Sequence, residues 1–395
     1  MAAANGPKRA EQGRGITMRE CDILIIGAGI AGTSAAFHLV QKTKQKIVIL
    51  ERESQPGYHS TGRSAAVYTE NYGPRLMRVM SVVSGPFLRK PPAGHTDVPL
   101  MHPRAALFVA RQDQVKTLEG AVKELQELSK TLHPMSAADA YKQCPALKPG
   151  YVAAGAYDSG TMDMDVHAIH QGYIRGLKRG GAEIVCDAEV AALARKGGKW
   201  HVKTVKAGEF AAPVIINAAG AWADVVAGLA GVKPIGLQPK RRTVIVFDAP
   251  AGANIQPWPI VADIDEKFYF KPEAGRILAS PADETPVPPQ DIQPEDEDKA
   301  LIAERVESCS TLKVGRIQRS WAGLRSFVKD KHPVVGFAPD AEGFFWLAGQ
   351  GGYGIQTSFA MGMTACSLAT GGGVPDAVKA LNVSEADLGP ARLWG

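Results

Sequence analysis

The run Asp22-Ile23-Leu24-Ile25-Ile26, followed at once by Gly27-Ala28-Gly29-Ile30-Ala31-Gly32, constrains this chain more than any other feature. An apolar segment of strand length enters a G-x-G-x-x-G turn and leaves it as a helical stretch that continues to Gln41. In that setting Gly27 permits the tight turn, Gly29 lets backbone approach a pyrophosphate, and Gly32 lets helix pack on strand, while the helix N-terminus faces the phosphate charge. A second apolar run, Lys46-Ile47-Val48-Ile49-Leu50, ends in Glu51. An acid about 20 residues past the glycines accepts a hydrogen bond from an adenosine ribose 2′-OH and disfavours a 2′-phosphate. The segment reads as a parallel α/β dinucleotide-binding unit in preference to a purely structural glycine turn.

The remaining chain is long enough for more. Its 395 residues imply two domains or one elaborate one, and its 45% hydrophobic and 22% charged fractions are those of a globular protein. Net charge is +5 with no long basic run, which argues against nucleic acid as partner. The five cysteines, Cys21, Cys144, Cys186, Cys309 and Cys366, are odd in number and contain no C-x-x-C pair. They indicate free thiols and a reducing compartment, read as the cytoplasm. Two uncharged stretches, Ile23 to Gln41 and Gly343 to Pro375, reach bilayer length but are broken by glycines, so no transmembrane segment is expected. Residues 1–20 are polar and basic and read as a disordered extension.

Three further segments point to a flavin dinucleotide. A long loop of small residues and hydroxyls, Gln55 to Ala66, stands where a nicotinamide enzyme would start its next helix. Val214-Ile-Ile-Asn217-Ala-Ala-Gly220-Ala-Trp222 is an apolar strand that ends in small residues. Phe344 to Thr357 is a strand that passes through Gln350-Gly351-Gly352-Tyr353-Gly354-Ile355-Gln356 into a helix. Such a loop can aim N–H groups and a helix N-terminus at the flavin edge that gains negative charge on reduction.

On these residues the chain resembles the D-amino-acid oxidase and dehydrogenase superfamily of FAD enzymes, and within it the bacterial FAD-dependent D-arginine dehydrogenases. The motifs are E-R-E-x-Q-P-G-Y-H-S-T-G-R-S-A-A from Glu51, H-Q-G-Y from His170, L-Q-P-K-R-R from Leu237, F-Y-F-K-P from Phe268, W-A-G-L-R-S-F from Trp321 and Q-G-G-Y-G-I-Q-T-S from Gln350. The resemblance implies noncovalent FAD held by the Ala31 region, Glu51, Arg52, Ser60, Thr61, Gly62, Arg63, Ser64, Ala65, Ala66, Val67, Val190 and the run Gly351 to Gln356, besides Gly27, Gly29, Gly32 and Gly220. It also implies a substrate carboxylate gripped by Arg242 and Arg325, with Tyr72, Tyr269 and the Gly352 backbone completing the pocket. A guanidinium suits that task because it pairs a carboxylate bidentately.

Two positions depart from the D-arginine dehydrogenase pattern. Pro103-Arg104 is followed by Ala105-Ala106 where a glutamate would grip a cationic side chain, and no acid occurs from Pro99 to Gln112. Val67 replaces a histidine. The expected activity is therefore oxidative deamination of neutral or apolar D-amino acids: hydride leaves Cα for the flavin, and water hydrolyses the imino acid to a 2-oxo acid and ammonia. Whether a quinone or O₂ reoxidises the flavin is left open. The alternatives are a flavin oxidase of secondary amines of the sarcosine, proline or glycine type, a nicotinamide dehydrogenase, and a non-enzymatic flavin-binding protein.

The expected architecture is α/β: an FAD unit from 21–85, 154–231 and 340–395, interleaved with an α+β substrate unit from 86–153 and 232–339 that carries a mixed or antiparallel sheet. Asp158, Asp163, Asp165, His167 and His170 could ligate a metal by type, but Asp165 reads better as a helix N-cap, and no metal is expected. The acidic, proline-rich stretch Ala282 to Asp298 reads as a solvated loop leading into a helix.

Overall fold

A computed structural model describes residues 18–394. Its centre is a six-stranded sheet in the order Glu183–Val185, Ile47–Leu50, Ile23–Ile26, Val214–Asn217, Phe344–Ala348, Val334–Phe337. Every neighbouring pair is parallel except the last. Ile23 to Ile26 are all buried because both faces are covered, which is why this strand is continuously apolar where a half-exposed strand would alternate. One face meets the helices Ile30–Lys42 and Ser358–Ala369, which lie against each other through small residues. The other face is covered by the strands Val190–Lys196, Lys199–Thr204 and Glu209–Ala212 and the helix Ala223–Leu229.

The second large sheet has nine strands. At its heart the long strands Gln238–Asp248 and Ile317–Phe327 pair antiparallel, with Lys240 opposite Arg325 and Arg242 opposite Gly323. Alternation along a strand therefore sets Lys240, Arg242, Gly323 and Arg325 on one face of that pair. One parallel pair, Ile260–Asp263 beside Ala106–Ala110, makes the sheet mixed, as expected from the sequence.

Three boundaries differ from the sequence-based division. Ala154–Asp158 pairs with Ala106–Ala110 and Leu132–Ser136 and so belongs to the nine-stranded sheet, because its small residues fit between two strands of the roof. Val334–Phe337 turns back along Phe344–Ala348 and extends the six-stranded sheet. The extension expected over 1–20 stops short of its end: Arg19–Glu20 pairs with Phe210 and Ala211, and residues 1–17 lie outside those described. No described helix is long and apolar enough to cross a membrane.

Candidate active site

A cavity of about 590 Å³ lies between the two large sheets, and a second of about 150 Å³ opens beside the G-x-G-x-x-G turn. Gly29, Ser60, Thr61, Ala218, Gly220 and Ala221 line both, so the two form one track from Glu51 to Arg325. The smaller cavity also takes in Gly27, Glu51, Arg52 and Val190. The larger takes in Ala31, Arg63, Ser64, Ala65, Ala66, Val67, Tyr72, Arg242, Tyr269, Arg325 and every residue from Gly351 to Gln356.

Two of the expected cofactor residues, Gly32 and Gly62, line neither cavity. Gly32 sits beneath the turn, where a Cβ would stand 2.0 Å from the Gly27 carbonyl oxygen. Gly62 closes the loop by donating its N–H to the Gly57 carbonyl at 2.8 Å. Both shape the track without lining it.

The conformation of the turn itself depends on its glycines. Gly27 has φ +105°, and a Cβ there would meet the Ala218 carbonyl oxygen at 2.4 Å, so only glycine holds this conformation. A Cβ on Gly29 would project to within 3.3 Å of Thr61 Oγ1 and fill the passage between the two cavities. The Glu51 carboxylate accepts from the Ala28 N–H at 2.9 Å and the Glu53 N–H at 3.0 Å, which braces the turn from below. Burial pushes its pKa above the ordinary carboxylate value despite those bonds. Arg52 lies 4.9 Å from the Trp222 ring and pairs with Glu53 and Glu189, at the rim of the smaller cavity. Glycines at the turn, an acid below it and a continuous track fit a flavin dinucleotide.

At the far end the two arginines differ in kind. Arg242 is buried and already engaged: its Nε donates to the Asp283 carbonyl at 2.8 Å, and Nη2 lies 3.7 Å from Glu284. Arg325 is deep but keeps part of its surface open to the cavity, and no carboxylate among the described residues lies within ion-pair distance of it. Its Nη1 donates to the Tyr72 hydroxyl at 3.2 Å. Burial works against its charge, but the hydroxyls of Tyr72 and Tyr269 more than offset that and hold its pKa above the ordinary arginine value. Gly351 N–H donates to the Ser326 carbonyl at 3.0 Å and ties the glycine loop to the arginine strand. The Tyr72 and Tyr353 rings stand 5.1 Å apart beside them. Gln356 is turned inward, accepting from the Thr69 N–H and donating to Ser81 Oγ, so its side chain positions the 69–74 loop.

The acidic stretch Ala282 to Asp298 leads into the helix Asp296–Cys309, as expected, and many of its residues are exposed, but ion pairs tie it to the protein: Glu284 pairs with Lys240 at 2.7 Å, Arg241 with Glu295 and with Asp298 at 2.8 Å, and Arg63 with Asp291. Each cation of the K-R-R run thus meets an acid from this segment, which closes one side of the cavity. The cavity wall also carries acids. The carboxylates of Glu266 and Glu284 stand in its wall although the stretch around Ala106 has none, because the hairpin turn after Ile260–Asp263 and the loop after Arg276–Ser280 bring them in from elsewhere in the chain. Nothing local marks them in the sequence. The apolar part of the wall, Ala106, Phe108, Ile260 and Ala262, comes from alternate positions of two neighbouring parallel strands.

The Asp/His group found near the site serves structure. Asp165 caps its helix by accepting from the Ala168 N–H at 2.8 Å. Asp158 accepts from the hydroxyls of Thr69, Thr131 and Thr161, and these bonds, with the amide of Asn71, outweigh burial and lower its pKa. His170 meets the Ala28 carbonyl at 3.0 Å.

The chain is 27% identical to FAD-dependent oxidoreductase domain-containing protein 1 of Xenopus laevis, across 94% of this chain and 82% of that one. It is 25% identical to human mitochondrial dimethylglycine dehydrogenase across 85% of this chain but only 40% of that protein. The fold matches that of L-proline dehydrogenase from P. horikoshii with a TM-score of 0.81 at 21% identity, covering 96% of this chain and 99% of the other. The sequence profile of the DAO family, FAD dependent oxidoreductases, matches residues 22–368. The chain thus belongs to the DAO family of FAD dependent oxidoreductases, with FAD as its cofactor.

Proposed function

We propose that this enzyme oxidises the carbon next to the nitrogen of a small amino acid, with N-substituted amino acids of the sarcosine, proline or N-alkylglycine type as its preferred class. One observation carries the reading: the Arg325 guanidinium, open to the cavity and without an acid partner, is a seat for a carboxylate. A desolvated cation of this kind pairs a ligand carboxylate through charge-assisted bonds.

The six-stranded sheet and its loops, from Gly27 to Val67 with Val190, Gly220 and Gly351 to Gln356, hold FAD in this reading. Bound there without a covalent link, FAD supplies the two-electron acceptor for the hydrogen that leaves the substrate carbon. The chain does the rest. Arg325 and the Gly352 backbone fix the carboxylate, Tyr72 and Tyr269 wall the reacting end, and Arg242 keeps the strand in place beside Asp283 and Glu284. Fixing one end of a small substrate against two rigid walls sets which C–H bond faces the cofactor, and orientation of that kind is the protein's largest contribution. Water then hydrolyses the imine product to a carbonyl compound and an amine.

The preference for N-substituted amino acids draws its support from the dimethylglycine and proline dehydrogenases to which the chain is similar, whose named substrates are a tertiary and a secondary amine. The second reading is a dehydrogenase of D-amino acids with neutral side chains, for which the apolar wall of Ala106, Phe108, Ile260 and Ala262 offers room. D-Arginine itself is disfavoured in it by Ala106. The test is anaerobic: sarcosine, N,N-dimethylglycine, L-proline, glycine and a set of D-amino acids are each mixed with the yellow enzyme, and air is admitted afterwards. Faster bleaching by sarcosine, N,N-dimethylglycine or L-proline supports the first reading, bleaching by D-amino acids alone replaces it with the second, and the rate of recolouring in air separates oxidase from dehydrogenase.

A further inference from the structure

The Arg325 contact continues one step further. Tyr72 accepts from Arg325 Nη1 at 3.2 Å and donates its own hydroxyl proton to Glu266 Oε2 at 3.2 Å. One phenol therefore bridges a guanidinium and a carboxylate, and all three side chains line the same cavity. Every other acid on that wall is already matched. Glu124 pairs with the buried Arg78, Glu284 with Lys240, and Asp263 accepts from Gln114 and lies 3.5 Å from Arg111. Glu266, at the tip of the hairpin between Ile260–Asp263 and Tyr269–Glu273, has no cation within ion-pair distance among the described residues. The cavity thus presents one unmatched cation and one unmatched anion, separated by two hydrogen bonds.

From this geometry we infer that Glu266 is the seat of the substrate's α-ammonium group, so that the site selects zwitterions over plain carboxylates. The inference rests on the carboxylate reading of Arg325. An α-amino acid carries its two charges one carbon apart, and two charges bridged by a single phenol are spaced for that arrangement. A ligand whose cation is remote from its carboxylate would have to reach past Glu266. Tyr72 holds the Glu266 carboxylate at the cavity wall, where an ammonium can reach it. Glu266 is exposed at its outer edge, so the discrimination it supplies is moderate, about three- to tenfold.

The test measures binding to the FAD-loaded enzyme by calorimetry, with ligands that need not react. Trimethylglycine and its uncharged carbon isostere tert-butylacetate differ only in the charge beside the carboxylate. δ-Aminovalerate and hexanoate differ in a charge far from it. The expected result is that trimethylglycine binds about three- to tenfold more tightly than tert-butylacetate, and that Glu266→Gln, which keeps an acceptor for Tyr72, removes the difference while leaving tert-butylacetate affinity within twofold. Equal affinity of the isosteres in the unmodified enzyme overturns the inference. So does a preference that survives in Glu266→Gln, or a larger preference in the δ-aminovalerate pair than in the first. If no carboxylate binds at all, the Arg325 reading itself has failed; if carboxylates bind without regard to charge, only the role of Glu266 has.

Discussion

Gly352 has no side chain, and a Cβ built on it would stand 2.6 Å from Cζ of Arg325 and 2.8 Å from its Nε. The guanidinium rests on the peptide of the glycine loop, which is how a residue on the nine-stranded sheet is aimed at a loop of the six-stranded one. Gly352→Ala should therefore act on function before stability. The atom in the way is the end of a flexible side chain, so the fold accommodates the methyl group, but the guanidinium is pushed off its seat. KM for the amino acid should rise about tenfold or more while Tm and flavin content hold, because a misplaced anchor loses charge-assisted bonds. An unchanged KM would show that Arg325 does not depend on this contact.

FAD should be released by acid. No cysteine lines either cavity: Cys21, Cys144, Cys309 and Cys366 are buried in cores, and half-buried Cys186 lies outside the track. Burial raises the Cys144 and Cys309 thiols to about 12, which makes them poor nucleophiles. Precipitation of the yellow protein with acid should leave all of the flavin in the supernatant. Flavin that stays with the pellet would mean a covalent bond to some other side chain.

Most of the cofactor end could be read directly from residues 22–67, since strand, turn, helix and acid follow one another and their geometry is local. The same holds for Gly351 to Gln356. The substrate end could be read only as far as motifs reached it. Arg242 and Arg325 look equivalent in sequence, and they part company only because Asp283 and Glu284, some forty residues downstream of Arg242, fold back onto one of them. Glu266 could not be read at all, since a lone acid in a hairpin turn carries no pattern. Ala154–Asp158 was misassigned for a related reason: a short run of small residues has no periodicity to say which sheet it joins.

Stability should fall with acid in a definite window. His95 is 1% exposed, packed among Phe37, Phe87 and Tyr173 with neither ring nitrogen partnered, and burial together with the nearby Arg175 and Arg179 lowers its pKa to about 4. Burial lowers His38 to about 4 as well, against a hydrogen bond with the Phe359 backbone that works the other way. An unfolded chain protonates these rings below about pH 6.5, whereas the folded one resists until about pH 4. Their full contribution is present above pH 6.5 and is lost as pH falls toward 4, by roughly 2 to 3 kcal/mol for His95 and less for the partly accessible His38. Tm measured from pH 7 to pH 4 should drop, and His95→Phe should flatten the curve. A parallel drop in that variant would assign the acid sensitivity to other groups.

The two arginines should separate when each is removed. Arg325→Ala takes away a cation that no protein acid needs, so the fold loses little, but the carboxylate loses its seat. A charge-assisted pair in a desolvated site is worth roughly 2 to 5 kcal/mol, so kcat/KM should fall by about two orders of magnitude or more with Tm nearly unchanged. Arg242→Ala leaves the buried Asp283 carboxylate and the half-buried Glu284 without the guanidinium beside them. Burial already pushes Asp283 above its ordinary pKa even with Arg242 present. Its loss should lower stability by roughly 1 to 3 kcal/mol, because the Asp283 carbonyl loses its donor and the Asp283 carboxylate keeps only Arg241, 3.9 Å away, as a cation beside it, with activity falling in step. Raising Arg325→Lys beside these variants checks the role of shape: a point charge keeps the attraction but not the planar fork, so part of the affinity should return. Equal losses of Tm in Arg325→Ala and Arg242→Ala, or a fall in kcat/KM below about fivefold in Arg325→Ala, would end the assignment of Arg325 as the carboxylate anchor.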